Sequence, residues 1–188
     1  MTRRMFVAAV PSVEWQEEWE EFWSVRRETA VAQGLRPVPD GSWHITLAFM
    51  EQVADPELIE LTERLTEAAA TSGPATIRVA GGGAFPNPAE GKLLHLRIAH
   101  GEEALQQWSR RCRNAANNAG IVVEGSRFVP HVSVARSNRR VEMTRWVQLL
   151  DAPLLPSFEV DRWDLIESDL KAPRGQAYSV VETFPLGA

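Results

Sequence analysis

The sequence predicts an α+β fold: two similar lobes of β-α-β-α-β order, with one extra strand at the C-terminal end. Two observations predict it. Short apolar runs alternate with amphipathic stretches of helical period along the 188 residues, and the same order of elements recurs at an offset of 87 residues. The offset also relates two short stretches, WHITLAF (43–49) and VPHVSVA (129–135), each carrying the pattern His-x-(Thr/Ser)-aliphatic. The chain is long enough for one domain in which two such lobes, about 1–83 and 84–188, share a core.

RMFVAAV (4–10) is short and apolar and reads as a buried strand. Pro11 and Ser12 then open a helix, with Ser12 at the N-cap and Glu14 in the first turn. Trp15, Trp19, Phe22 and Trp23 recur on one helical face, which predicts core packing rather than base stacking. Glu17, Glu18, Glu20 and Glu21 fall on the solvated side. After the PVPDGS loop (37–42) comes the strand WHITLAF, then a helix opening at Asp55-Pro56-Glu57, with proline at its first position. Leu58, Leu61 and Leu65 continue that helix, and Gly73-Pro74 ends it. TIRVA (76–80) is strand-like, and GGGAFPNPAEG (81–91) reads as a turn-rich connection.

The order then repeats. KLLHLRIA (92–99) is a strand, and Leu105, Trp108, Cys112 and Ala115 mark one face of a helix that closes at Gly120. FVPHVSVA follows, then helix near 140–150 and strands near 157–168 and 176–183. The 87-residue shift carries the start of the first strand onto Gly91–Lys92 and 76–80 onto 163–167. Identity between the halves is slight, so the repeat is one of element order.

Composition bounds the partners. Apolar content of 44% and charged content of 24% are ordinary for a globular protein, and no run is long enough to span a membrane. MTRRMFVAAVPSVEW has too short an apolar stretch for a secretory signal, which makes the cytoplasm the expected location. The single cysteine, Cys112, excludes an intrachain disulfide and a thiolate metal cluster. A net charge of −5 excludes coating of nucleic acid by bulk electrostatics. Locally, Arg127, Arg136, Arg139 and Arg140 surround the second histidine motif and are expected to attract phosphate. The arginine bias itself, with Lys92 and Lys171 the only lysines, is also what a GC-rich genome would give.

In a strand, side chains alternate faces, so His44, Thr46 and Ala48 share one side, with Ile45, Leu47 and Phe49 opposite. His131, Ser133 and Ala135 likewise share a side. Each strand then offers an imidazole and a hydroxyl together, with only alanine beyond them. Two such strands facing one cleft suit a phosphodiester: one histidine takes a proton from water and the other protonates the departing alkoxide. The hydroxyls hold the non-bridging oxygens. No metal, cofactor or nucleophilic side chain is required. A lone His-x-Thr is usually only a polar pair on a strand; two copies at matching places are what point to function. His95 and His100 lack the hydroxyl partner and read as structural or surface residues.

HITLAF and PHVSVAR together resemble the 2H phosphoesterase superfamily. Within it the match is to the RNA 2′,3′-cyclic phosphodiesterases, also called LigT-like or 2′-5′ RNA ligase proteins. RMFVAAVPS, GGGAFPNP, FEVDRWDLIESDL and GQAYSVVETFPL resemble further parts of that family, so the likeness spans nearly the whole chain. It implies a bilobal pseudo-two-fold fold of two antiparallel sheets flanked by helices, with a central cleft. It implies hydrolysis of RNA 2′,3′-cyclic phosphate ends to 2′-phosphates by His44 and Thr46 with His131 and Ser133. Arg136 matches an arginine after the second motif and would contact the nucleotide. Strict alternation puts Arg136 on the wrong face, so the strand must end or bulge near Ala135. By analogy His131 is the base and His44 the acid, though sequence leaves the two exchangeable. Ser133 stands where threonine is commoner, and Glu51 where glycine often follows the strand. The partner is then an RNA end or a cyclic nucleotide, bound by a monomer. The alternatives are a 2H enzyme on small cyclic nucleotides or ADP-ribose cyclic phosphate, a 2′-5′ ligase, or a non-catalytic RNA-end binding module.

Overall fold

A computed structural model describes residues 2–123, 125–173 and 175–187. The chain opens with β1 (Thr2–Ala9), whose apolar run is fully buried from Met5 onward. Helix α1 (Val13–Ala32) starts where expected, Ser12 Oγ accepting the Trp15 N–H at 3.3 Å. Its tryptophan stripe is core: Trp15, Trp19 and Trp23 are wholly buried, and the Trp19 and Trp23 rings stack at 5.6 Å. The short β2 (Arg36–Pro37) leads to β3 (Ile45–Ala54). Helix α2 (Asp55–Ala70) follows without a break, the Glu57 carboxylate accepting the Ala54 N–H at 2.7 Å.

Strand β4 (Ala75–Phe85) runs straight through the glycines that sequence reads as a turn. They serve packing instead. A β-carbon on Gly82 would collide with the Val147 carbonyl, and one on Gly83 with the His95 ring. Strand β5 (Gly91–His100), helix α3 (Glu102–Asn118) and strand β6 (His131–Val141) repeat the β1-α1-β3 order, with Gly120 closing α3 at φ +82°. Helix α4 (Thr144–Leu149) is short. The region expected as one strand near 157–168 is two, β7 (Phe158–Val160) and β8 (Arg162–Ser168), and β9 (Tyr178–Pro185) closes the chain.

The strands form two antiparallel sheets, ordered β3-β1-β8-β9 and β2-β6-β5-β4-β7. Flanking helices make this an α+β fold with a pseudo-two-fold relation between the sheets, β3-β1-β8 matching β6-β5-β4. The split at β7/β8 is explained by this arrangement, since β7 pairs with β4 and β8 with β1. The third strand of each repeat therefore crosses to the other repeat's sheet, and neither sheet coincides with 1–83 or 84–188.

Both motif strands depart from strict alternation in the same way. The β1–β3 register shifts between Val7↔Ala48 and Ala8↔Thr46, leaving Leu47 as an extra residue. The β5–β6 register shifts between Leu94↔Ala135 and His95↔Ser133, leaving Val134 extra. The carbonyls of both bulge residues are hydrogen-bonded outside those two ladders. Leu47 O accepts the buried Ser109 hydroxyl of α3 at 2.7 Å, and Val134 O accepts the Val38 N–H at 2.9 Å. Two consecutive residues, Leu47–Ala48 and Val134–Ala135, point into the core. Every side chain beyond them changes face.

Candidate active site

The bulges decide which side chains reach the cleft. Phe49, expected to pack away from His44, instead joins Phe6, Ala8 and Ile166 in a separate small apolar cluster. Arg136 is likewise turned to the His131 face, as the bulge near Ala135 requires. Phe49 and Arg136 are equivalent by the 87-residue offset, one apolar and one cationic.

His44 stands just before β3, half-buried. Its Nδ1–H donates to the Ser42 carbonyl at 2.8 Å, and its ring stacks on Phe6 at 4.6 Å with Tyr178 edge-on at 5.6 Å. His131 opens β6, and its Nδ1–H donates to the Val129 carbonyl at 2.7 Å. Ser42 and Val129 are themselves equivalent by the same offset. Both imidazoles are thus held through Nδ1 by a carbonyl two residues upstream, which leaves each Nε2 free. Thr46 and His131 line one cleft of about 390 Å³. Ser133 is half-buried, two residues along β6 from His131.

Burial lowers the His44 pKa to about 4, against the pull of the Ser42 carbonyl and helped by the charges of Arg136 and His131. The His131 pKa is lowered for the same first reason, the Val129 carbonyl opposing and Arg136 adding to it. Arg136 therefore acts on both rings, and the His131 charge acts on His44. An anion placed between them would meet a positive guanidinium and two imidazoles whose protonated forms it would restore.

His95, read from sequence as structural or surface, is buried beside this site. It lies opposite Ser133 in the β5–β6 ladder, its ring 5.1 Å from that of His131 and stacked on Phe85 at 4.2 Å. Burial and the neighbouring His131 lower its pKa to about 4. Its proximity arises from cross-strand register, which no local motif announces. The arginines expected around the second motif separate: Arg140 pairs with Glu90 at 2.8 Å, while Arg127 joins Thr46 and His131 in lining the cleft. Glu51 is exposed on β3, which continues through it to Ala54 without a turn.

Among the described residues no three His, Cys, Asp or Glu side chains are grouped as a metal site would require. No helix among them is long and apolar enough to cross a membrane.

The family model of the 2′-5′ RNA ligase superfamily matches residues 11–172. An RNA 2′,3′-cyclic phosphodiesterase of Aquifex aeolicus is 27% identical over 179 residues, covering 88% of this chain and 95% of that protein. One from Archaeoglobus fulgidus is 27% identical over 161 residues, covering 85% and 89%. Among solved structures, Escherichia coli LigT complexed with 3′-AMP superposes with a TM-score of 0.76 at 20% identity, covering 99% of each chain. TT0787 of Thermus thermophilus superposes with a TM-score of 0.75 at 24% identity, covering 97% of each. These structures share the fold. With a matching family model spanning most of its length, the chain belongs to the 2′-5′ RNA ligase superfamily.

Proposed function

We propose that this protein hydrolyses RNA 2′,3′-cyclic phosphate ends to 2′-phosphates without a metal, His131 acting as base and His44 as acid. The observation that carries the reading is the duplicated tether: two imidazoles, each donating Nδ1–H to an equivalent carbonyl, with Nε2 left for chemistry. In the reaction, His131 Nε2 takes a proton from water as the water oxygen bonds to phosphorus. The bond from phosphorus to the 3′-oxygen breaks, and His44 Nε2 gives that oxygen a proton. Thr46, Ser133 and Arg136 hold the non-bridging oxygens and offset the charge that grows on them. Relatives named RNA 2′,3′-cyclic phosphodiesterase support the substrate class. A binding module would need no pair of imidazoles each tethered through Nδ1.

The test is incubation with a 2′,3′-cyclic phosphate in the presence of EDTA, followed by identification of the product. Release of the 2′-phosphate isomer is the expected result. Formation of the 3′-phosphate would reverse the leaving group, and turnover abolished by EDTA would remove the metal-free mechanism.

A further inference from the structure

The cleft does not end at the imidazoles. From Thr46 and His131 it extends past Phe49 and Phe85 to Arg113 of α3 and to Arg127 and Phe128 of the segment leading into β6. This is an acidic chain, with 25 Asp and Glu against 20 Lys and Arg, yet no carboxylate among the described residues lines this cleft. Two cations face it without an ion pair to any described residue. Arg113 donates through Nη1 to the Ser126 carbonyl at 3.2 Å, and its buried Nε–H has no partner among the described residues. Arg127 is exposed. On the other side of Phe49 lies a larger cavity of about 710 Å³ that carries Glu51 and Glu57. A chain of phosphates leaving the reacting centre thus meets carboxylates one way and guanidiniums the other. Phe49, Phe85 and Phe128 also line this branch.

We propose that this branch, with Arg113 and Arg127, holds the phosphodiester preceding the cyclic end, so that the preferred substrate is an oligoribonucleotide rather than a free cyclic mononucleotide. The inference rests on the function proposed above and adds a second phosphate position to it. Arg136 serves the reacting phosphate; Arg113 and Arg127 serve the one upstream. Raising the salt concentration should erode the preference, because the extra contact is between a phosphate and surface cations.

The experiment compares kcat/KM for a 2′,3′-cyclic mononucleotide with that for a dinucleotide ending in the same cyclic nucleotide, using the full-length protein. A charge-assisted contact predicts a preference of about tenfold or more for the dinucleotide. Arg127→Gln should collapse that ratio towards one, and Arg127→Lys should retain most of it. The substituted side chain is exposed, so the fold is not at stake, and circular dichroism checks this. A wild-type ratio near one, or a ratio that Arg127→Gln leaves unchanged, overturns the subsite while the hydrolytic function stands. Failure to turn over either compound overturns the hydrolytic function, and this inference with it.

Discussion

At the scale of single residues, His44 and His131 stood out in the sequence because an imidazole and a hydroxyl two residues apart occur twice, and the structure adds that each Nδ1 is tethered to an equivalent carbonyl. His95 did not stand out, since its place beside His131 comes from strand register. Arg136 was legible only conditionally, because its face depends on one extra residue in the strand. The histidines also set the expected pH dependence. Both rings proposed for catalysis have their charged forms disfavoured by burial, so both are mostly neutral at pH 7 in the free protein. Catalysis needs one protonated and one neutral ring. The bell of kcat/KM, which reports the free enzyme, should therefore peak below the ordinary histidine value of about 6.5. Bound phosphate favours the protonated forms, so the kcat bell should lie at higher pH. Initial rates across pH 4 to 9 check this, and a kcat/KM optimum above about 8 would contradict it.

At the scale of elements, most strands and helices follow from sequence pattern because each is apolar with a clear period. The exceptions share a cause. Gly81–Phe85 reads as turn locally but is strand, because α4 and the His95 ring pack where side chains would be. The 157–168 region splits because its two halves find partners in different sheets. The bulges at Leu47 and Val134 leave no local signature, yet beyond them Phe49 lines the cleft and the Arg136 charge reaches both histidines. Their stability depends on satisfied carbonyls. Ser109→Ala should leave Leu47 O buried and unpaired, costing about 1–3 kcal/mol. It should also lower kcat by loosening the strand that carries Thr46, although Ser109 lies outside the cleft. Denaturant unfolding with parallel kinetics measures both. Unchanged stability would show that the bulge holds without its hydroxyl donor.

At the scale of the whole molecule, the repeat predicted two lobes and the family resemblance two antiparallel sheets, but neither predicted the exchange of third strands. Nothing in an element order says which sheet a strand will join. The exchange ties each sheet to both halves of the chain. β1 and β3 alone are a two-stranded ladder, marginal without β8. A fragment ending at residue 83 should therefore lack a cooperative fold, whereas the full chain should unfold in one transition. Far-UV circular dichroism with thermal melting distinguishes the two, and a cooperatively folded fragment would mean the halves are independent.

The same exchange holds the two motif strands in one framework, and the proposed function requires their histidines to act on one anion. The most direct test of that claim is single-turnover hydrolysis of a 2′,3′-cyclic phosphate by wild type, His44→Ala and His131→Ala. Each substitution should slow the reaction by about 10²–10⁴-fold, the range for losing a general acid or base, while leaving the fold intact. A wild-type rate in either folded variant would mean that the two imidazoles do not act together on one phosphorus.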